Sequence, residues 1–186
     1  MTSEPVAAYP ARDQYARPLL VALLSGCGFA LLLGLYAKLH HPTKYALDVG
    51  GFSSPLYAKA WLTTAAVVFA VVQLITGARI TRQAAPAWMA TVHRWSGRIA
   101  ILLTVPVIIH CIYALGFGTY SARVLAHSVL GCIFYGAFVA KMLSLVRRDG
   151  MPKWVLPVLG GVLFVSLIAL WATSALWLFV TKGVHS

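Results

Sequence analysis

The stretch Arg98–Lys141, RIAILLTVPVIIHCIYALGFGTYSARVLAHSVLGCIFYGAFVAK, decides the fold. Between Arg98 and Arg123 run 24 uncharged residues, and between Arg123 and Lys141 another 17. A helix needs about 20 predominantly apolar residues to cross the roughly 30 Å hydrocarbon core of a bilayer. The first run meets that length. The second meets it if the Lys141 stem snorkels toward the interface. The small polar turn Gly116–Ser121 between them makes the two an antiparallel pair of membrane helices.

The same punctuation by charge extends outward. Arg17 to Lys38 encloses 20 uncharged residues, Lys59 to Arg79 encloses 19, and Lys153 to Lys182 encloses 28. The pattern predicts an all-α integral membrane bundle of five transmembrane helices near 18–39, 57–79, 92–117, 122–145 and 154–180. Residues 1–17, with Pro5 and Pro10, read as a mobile N-terminal tail, 18–180 as the membrane domain and 181–186 as a C-terminal tail. The first apolar run is longer than a signal-peptide core and shows no clear cleavage site. The connection at 40–56, with Pro42, Gly50, Gly51 and Pro55, is expected to be irregular.

Composition agrees. The chain has 186 residues, of which 60% are hydrophobic and 10% charged. Soluble domains carry about 45–50% apolar and about 25% charged residues. An ordinary water-soluble enzyme is excluded, and so is intrinsic disorder, which needs the opposite balance. The net charge of +11 sits mostly between the apolar runs. There it sets orientation and meets lipid head groups, so it does not indicate nucleic acid. With the N-terminus inside, the inner segments hold ten Lys and Arg. The outer ones hold five: Lys38, Lys44, Lys59, Arg123 and Lys182. That bias predicts N-terminus inside and C-terminus outside, with Trp171 and Trp177 in the outer aromatic belt. A multi-pass protein of a bacterial plasma membrane is expected.

Several chemistries lack their residues. Glu4, Asp13, Asp48 and Asp149 are the only acids, and all fall outside the predicted spans. Proton-coupled transport usually needs a carboxylate within the bilayer. HExxH is absent, and no Gly-x-Ser context stands near a base. Cys27, Cys111 and Cys132 form no CxxC and lie in apolar runs, as packing groups do.

The histidines remain. His185 is terminal, and His40 and His41 read as a polar pair where the first helix leaves the membrane. His110 and His127 are embedded in apolar sequence, and an intramembrane imidazole is a functional candidate by default. Counted from the turn at 116–121, each is about six residues deep, or roughly 9 Å. Two imidazoles at one level on neighbouring helices can ligate one ion, and in lipid that geometry suits haem iron. The flat macrocycle needs small neighbours: Ala114 lies four residues after His110, and Gly131 four after His127. Arg123, one turn before His127, is placed to pair with haem propionates. Tyr113, Tyr120 and Tyr135 are potential hydrogen-bond donors nearby. Interhelical hydrogen bonding, another metal or quinone contact are the alternative uses of the pair.

Helices joined by a short turn usually pack about 8–10 Å apart, so the ligand pair requires the two to splay. Pro106, one turn before His110, supplies a cause by freeing the Leu102 carbonyl. His41 is the substitute ligand if splaying fails. His93 lies 17 residues before His110, about 25 Å along the helix. It belongs to a different level, as an interfacial anchor or with Met142 as a partner.

The run His93-Arg94-Trp95-Ser96-Gly97-Arg98, followed by apolar sequence and His110, resembles the third helix of ferric-reductase-like transmembrane domains. More generally, it resembles the small membrane cytochromes b. The resemblance covers roughly 92–145 and implies a helical bundle holding b-type haem through histidine pairs. The chain departs from that pattern in the 17-residue spacing, in Pro106, and in a fifth helix without histidine. The resemblance therefore supports one haem b, on the outer side. The stretch 92–180 also resembles an uncharacterised bacterial membrane family of unknown function. The chain has no flavin or nicotinamide domain, so that chemistry would belong to a partner.

The expected function is a cytochrome b-like electron-transfer subunit rather than a stand-alone enzyme. It would pass electrons between quinol or a respiratory complex and an extracytoplasmic redox partner. The alternative is a non-redox accessory subunit of a respiratory or transport complex, with the histidines as interhelical glue. A small quinone- or lipid-binding enzyme is a third reading.

Overall fold

The computed structural model describes residues 13–45, 51–82, 85–148 and 151–185. Helices α1 (Asp13–Leu39), α2 (Pro55–Thr81), α3 (Ala87–His110), α4 (Ala122–Val146), α5 (Val155–Trp171) and α6 (Trp177–Lys182) account for most of them. A π turn, Cys111–Leu115, extends α3, and a second, Ala172–Leu176, joins α5 to α6 without a break. Among the described residues there are therefore five helices long and apolar enough to cross a membrane: Ala16–Leu39, Pro55–Thr81, Ala87–Leu115, Ala122–Val146 and Val155–Lys182. There is no strand among the described residues. The first helix starts at Asp13, inside the segment read as a tail, and Pro18 is tolerated near its start. Residues 1–12 of that tail, and 46–50 of the irregular connection, lie outside the described residues.

The ends follow from local chemistry. Pro55 opens α2, where a missing N–H costs nothing. Ser121 caps α4 by accepting from the Val124 amide at 3.3 Å. Gly116 closes the π turn with φ +69 and stands 3.1 Å (as a built Cβ) from Ala37 O, so both its backbone angle and its closeness to α1 call for glycine.

Small residues lie inside and large ones outside. Ala58, Ala60, Ala66, Ala70, Ala100, Ala140 and Ala175 are buried, while Leu31 is 74% and Val180 76% exposed. This is the expected arrangement when lipid is as apolar as leucine and helices associate through close packing. The tightest seam is α1 on α4. A Cβ on Gly26 would stand 2.5 Å from Gly136 O, and one on Gly136 would stand 2.7 Å from Gly26 O. Ala30 and Ala140 continue that seam.

Packing runs α1 to α4, α4 to α5, α5 to α2 and α2 to α3. Helices α3 and α4, though joined by the short turn, are not closely packed on each other. The Tyr135 hydroxyl spans between them, 3.0 Å from Thr104 O and 2.9 Å from Thr104 Oγ1. The pair is therefore bridged by a polar strut at mid-depth. At that depth Ala66, Ala70, Phe134 and Leu167 form an apolar belt, with Phe164 and Tyr135 packed against it.

Candidate functional site

Two clusters of polar side chains flank the belt, one toward the C-terminal side of the bundle and one toward the N-terminal side. The spans contain no Asp or Glu, so neither cluster has a carboxylate from within the membrane.

The C-terminal-side cluster gathers His110 from α3, Arg123 and His127 from α4, Lys59 from α2 and Thr173 from the second π turn. His127 Nδ1 lies 3.0 Å from Thr173 Oγ1. The Thr173 hydroxyl is 2.7 Å from Ala169 O and 3.1 Å from Leu170 O, and its single proton goes to that carbonyl pair. Thr173 Oγ1 therefore accepts from His127, which fixes the proton on Nδ1 and leaves Nε2 with a free lone pair. Arg123 donates to Thr173 O at 2.5 Å, and its guanidinium lies 3.9 Å from the Trp177 ring centroid. The first contact holds α4 to the π turn and the second to the start of α6. A π turn widens the helix and detaches carbonyls from their usual partners, and it recurs at functional sites.

His110 is 8% exposed and takes part in none of the hydrogen bonds among the described residues. The π turn that follows it changes register, so buried Ala114 no longer sits squarely one α-turn beyond His110. Its carbonyl instead accepts from Lys44 N at 3.3 Å. Lys59 stands within electrostatic reach of His110, Cys111 and His127. In sequence it counts among the outer basic residues, and the signal for its place among these side chains is its position one turn inside a helix that opens at Pro55. Around Gly131 there is room: a Cβ there would meet no heavy atom within 4 Å.

Of the tyrosines, Tyr135 is the strut, while Tyr113 and Tyr120 are exposed. His41 is exposed at the end of α1. His40, not His41, turns to the bundle, stacked on Tyr36 at 5.4 Å and tilted against Tyr113 at 4.9 Å. Trp177 is exposed as a belt residue would be, but Trp171 turns inward and donates to Thr64 Oγ1 at 2.9 Å.

The N-terminal-side cluster is built on His93. Its Nδ1 lies 2.9 Å from Thr76 Oγ1, whose proton goes to Val72 O at 2.7 Å, so the same tautomer is fixed here. The Gln73 amide donates to His93 O and to Ser96 Oγ. It also fills the space over Gly97, 2.6 Å from where a Cβ would stand. His93 is thus an interhelical tether of α3 to α2. An α4 side chain within electrostatic reach of it is Lys141. Lys141 does not extend outward: its Nζ is 3.5 Å from a Cβ built on Gly160 of α5.

The histidines separate on this geometry. The residue one turn after His93 is covered by an amide, whereas the residue one turn after His127 faces open space. His110, His127, Arg123 and Lys59 are the ligating and cationic side chains on this side of the bundle, with Lys59 within electrostatic reach of both histidines. Among the described residues no three His, Cys, Asp or Glu side chains converge as a metal cage.

No curated protein and no solved structure matches the chain. Residues 19–186 match a family described as a family of unknown function (DUF6529), and the chain belongs to that family.

Proposed function

We propose that the chain is a membrane electron-transfer subunit holding one haem b between His110 and His127. Support comes first from the open space beside Gly131 on the face of His127, where the equivalent place beside His93 is filled by Gln73. The fixed tautomer of His127 offers Nε2 to a metal, with Thr173 as the outer partner that orients the ring. Helices α3 and α4 are bridged by the Tyr135 hydroxyl but are not closely packed on each other, which a planar group between them would require. Lys59 and Arg123 supply cations for propionates with no competing carboxylate in the spans. A bound haem would supply a one-electron couple; the chain's own residues orient it and exclude water from it. A single haem near one face does not bridge the bilayer, so this reading includes a redox partner, with quinol or a respiratory complex on one side and an extracytoplasmic protein on the other. It also sets the N-terminus inside and the C-terminus outside in a plasma membrane.

The reduced-minus-oxidised spectrum of protein purified from haem-replete cells tests this. A Soret band that shifts on dithionite is expected, and a colourless preparation overturns the proposal. The second reading, a non-redox accessory subunit, is favoured by a specific observation. The His127–Thr173 and His93–Thr76 contacts both already join neighbouring helices.

A further inference from the structure

Between the end of α3 and the chain leaving α1 lies a groove of about 290 Å³, lined by Thr43, Tyr45, Ile109, His110 and Tyr113. Its walls are fixed. Thr43 N donates to Tyr113 O at 3.0 Å, and Thr43 Oγ1 donates to the same carbonyl at 3.2 Å. The volume lies just under the range of roughly 300–1,000 Å³ typical of drug-sized ligands. It suits one substituted ring and not a porphyrin. Ile109, Tyr113 and Tyr45 are exposed, so the groove opens sideways at the level where helices leave the hydrocarbon. The His110 imidazole in its wall has no hydrogen-bond partner among the described residues. Behind Tyr113, His40 Nε2 is buried and likewise unpartnered.

Aromatic walls, lateral access from lipid and an unpaired imidazole edge define the occupant. An acyl chain would satisfy the walls and leave the imidazole unpaired. A soluble anion would suit Lys59 but not Tyr45, Ile109 and Tyr113. We infer that the groove binds the headgroup of a lipid-soluble quinone, its ring against Tyr113 and an oxygen on the His110 edge. This deepens the haem reading and rests on it for its purpose. Iron would take one nitrogen of His110, and the other keeps its proton for a quinone oxygen.

The test is titration of the full chain in phosphatidylcholine nanodiscs with a decyl-substituted benzoquinone, on haem-loaded and haem-free protein. Saturable binding is expected, weakened at least about tenfold, or about 1.4 kcal/mol, by Ile109→Trp, which fills the groove, and by Tyr113→Ala, which removes a wall. Leu102→Trp, on an exposed part of α3 away from the groove, should leave it unchanged. Non-saturable partitioning of quinone into the discs would mean that lipid chains occupy the groove, and would overturn the inference. So would full affinity in both groove variants. Saturable, variant-sensitive binding to a protein that never takes up haem would uphold the groove and overturn the haem reading.

Discussion

His127 Nδ1 and Thr173 Oγ1 stand 3.0 Å apart across the α4–α5 seam, and the threonine's own proton is spent on the helix behind it. That one contact decides which nitrogen of His127 is free. It also ties the histidine to a π turn that Arg123 holds from the next turn of α4.

Thr173→Val keeps the shape and removes the acceptor. The ring loses its orientation, and haem affinity should fall about 10–100-fold, the usual cost of losing a metal ligand's outer partner. Thr173→Ser should restore it. Haem titration followed at the Soret band reads the difference, and equal affinity of the valine and wild-type proteins would show that the contact is only structural.

The α1–α4 seam predicts steric intolerance. Gly136→Leu should lower stability by about 1–3 kcal/mol through overpacking against the Gly26 backbone. Gly28→Ala, where a Cβ meets nothing within 4 Å, should be neutral. Thermal unfolding of the two variants in detergent checks this, and matching midpoints would refute the seam.

Tyr135→Phe removes the strut between α3 and α4 and leaves the belt packing in place. Interhelical side-chain hydrogen bonds in membranes average about 0.6 kcal/mol and reach about 1.7. A loss in that range is expected in unfolding assays, together with a weaker or broadened Soret band as the spacing of His110 and His127 relaxes. An unchanged spectrum with unchanged stability would remove the strut from the account.

The bias of Lys and Arg predicts the topology. A phosphatase fused after Lys182 should be active in cells and a fluorescent protein fused there dark. The opposite result would place the cluster of His110 and His127 on the cytoplasmic side.

The five spans were legible in the sequence because charge interrupts apolar runs at bilayer length. Their ends in the structure fall within a few residues of the predicted ones, apart from the five-residue starts of α1 and α3. The two π turns were not legible, since neither CIYAL nor ATSAL holds a proline, glycine or charge that would mark a change of helix type. Lys141 was misjudged for a related reason. Snorkelling is the default for a lone lysine near a helix end, and only the tertiary arrangement reveals that Lys141 lies against Gly160 instead. Thr173 and Thr76 were missed because a threonine bonded back to its own helix looks like filler in an apolar run. The pairing of His93 with Gln73 and Thr76 needs α2 beside α3, which periodicity does not specify.

The most direct measurement is the reduced-minus-oxidised spectrum of three single variants prepared identically. His110→Ala and His127→Ala should each lose the Soret band, while His93→Ala should keep it at wild-type intensity. If His93→Ala loses the pigment, or if neither of the other two does, one haem between His110 and His127 is contradicted.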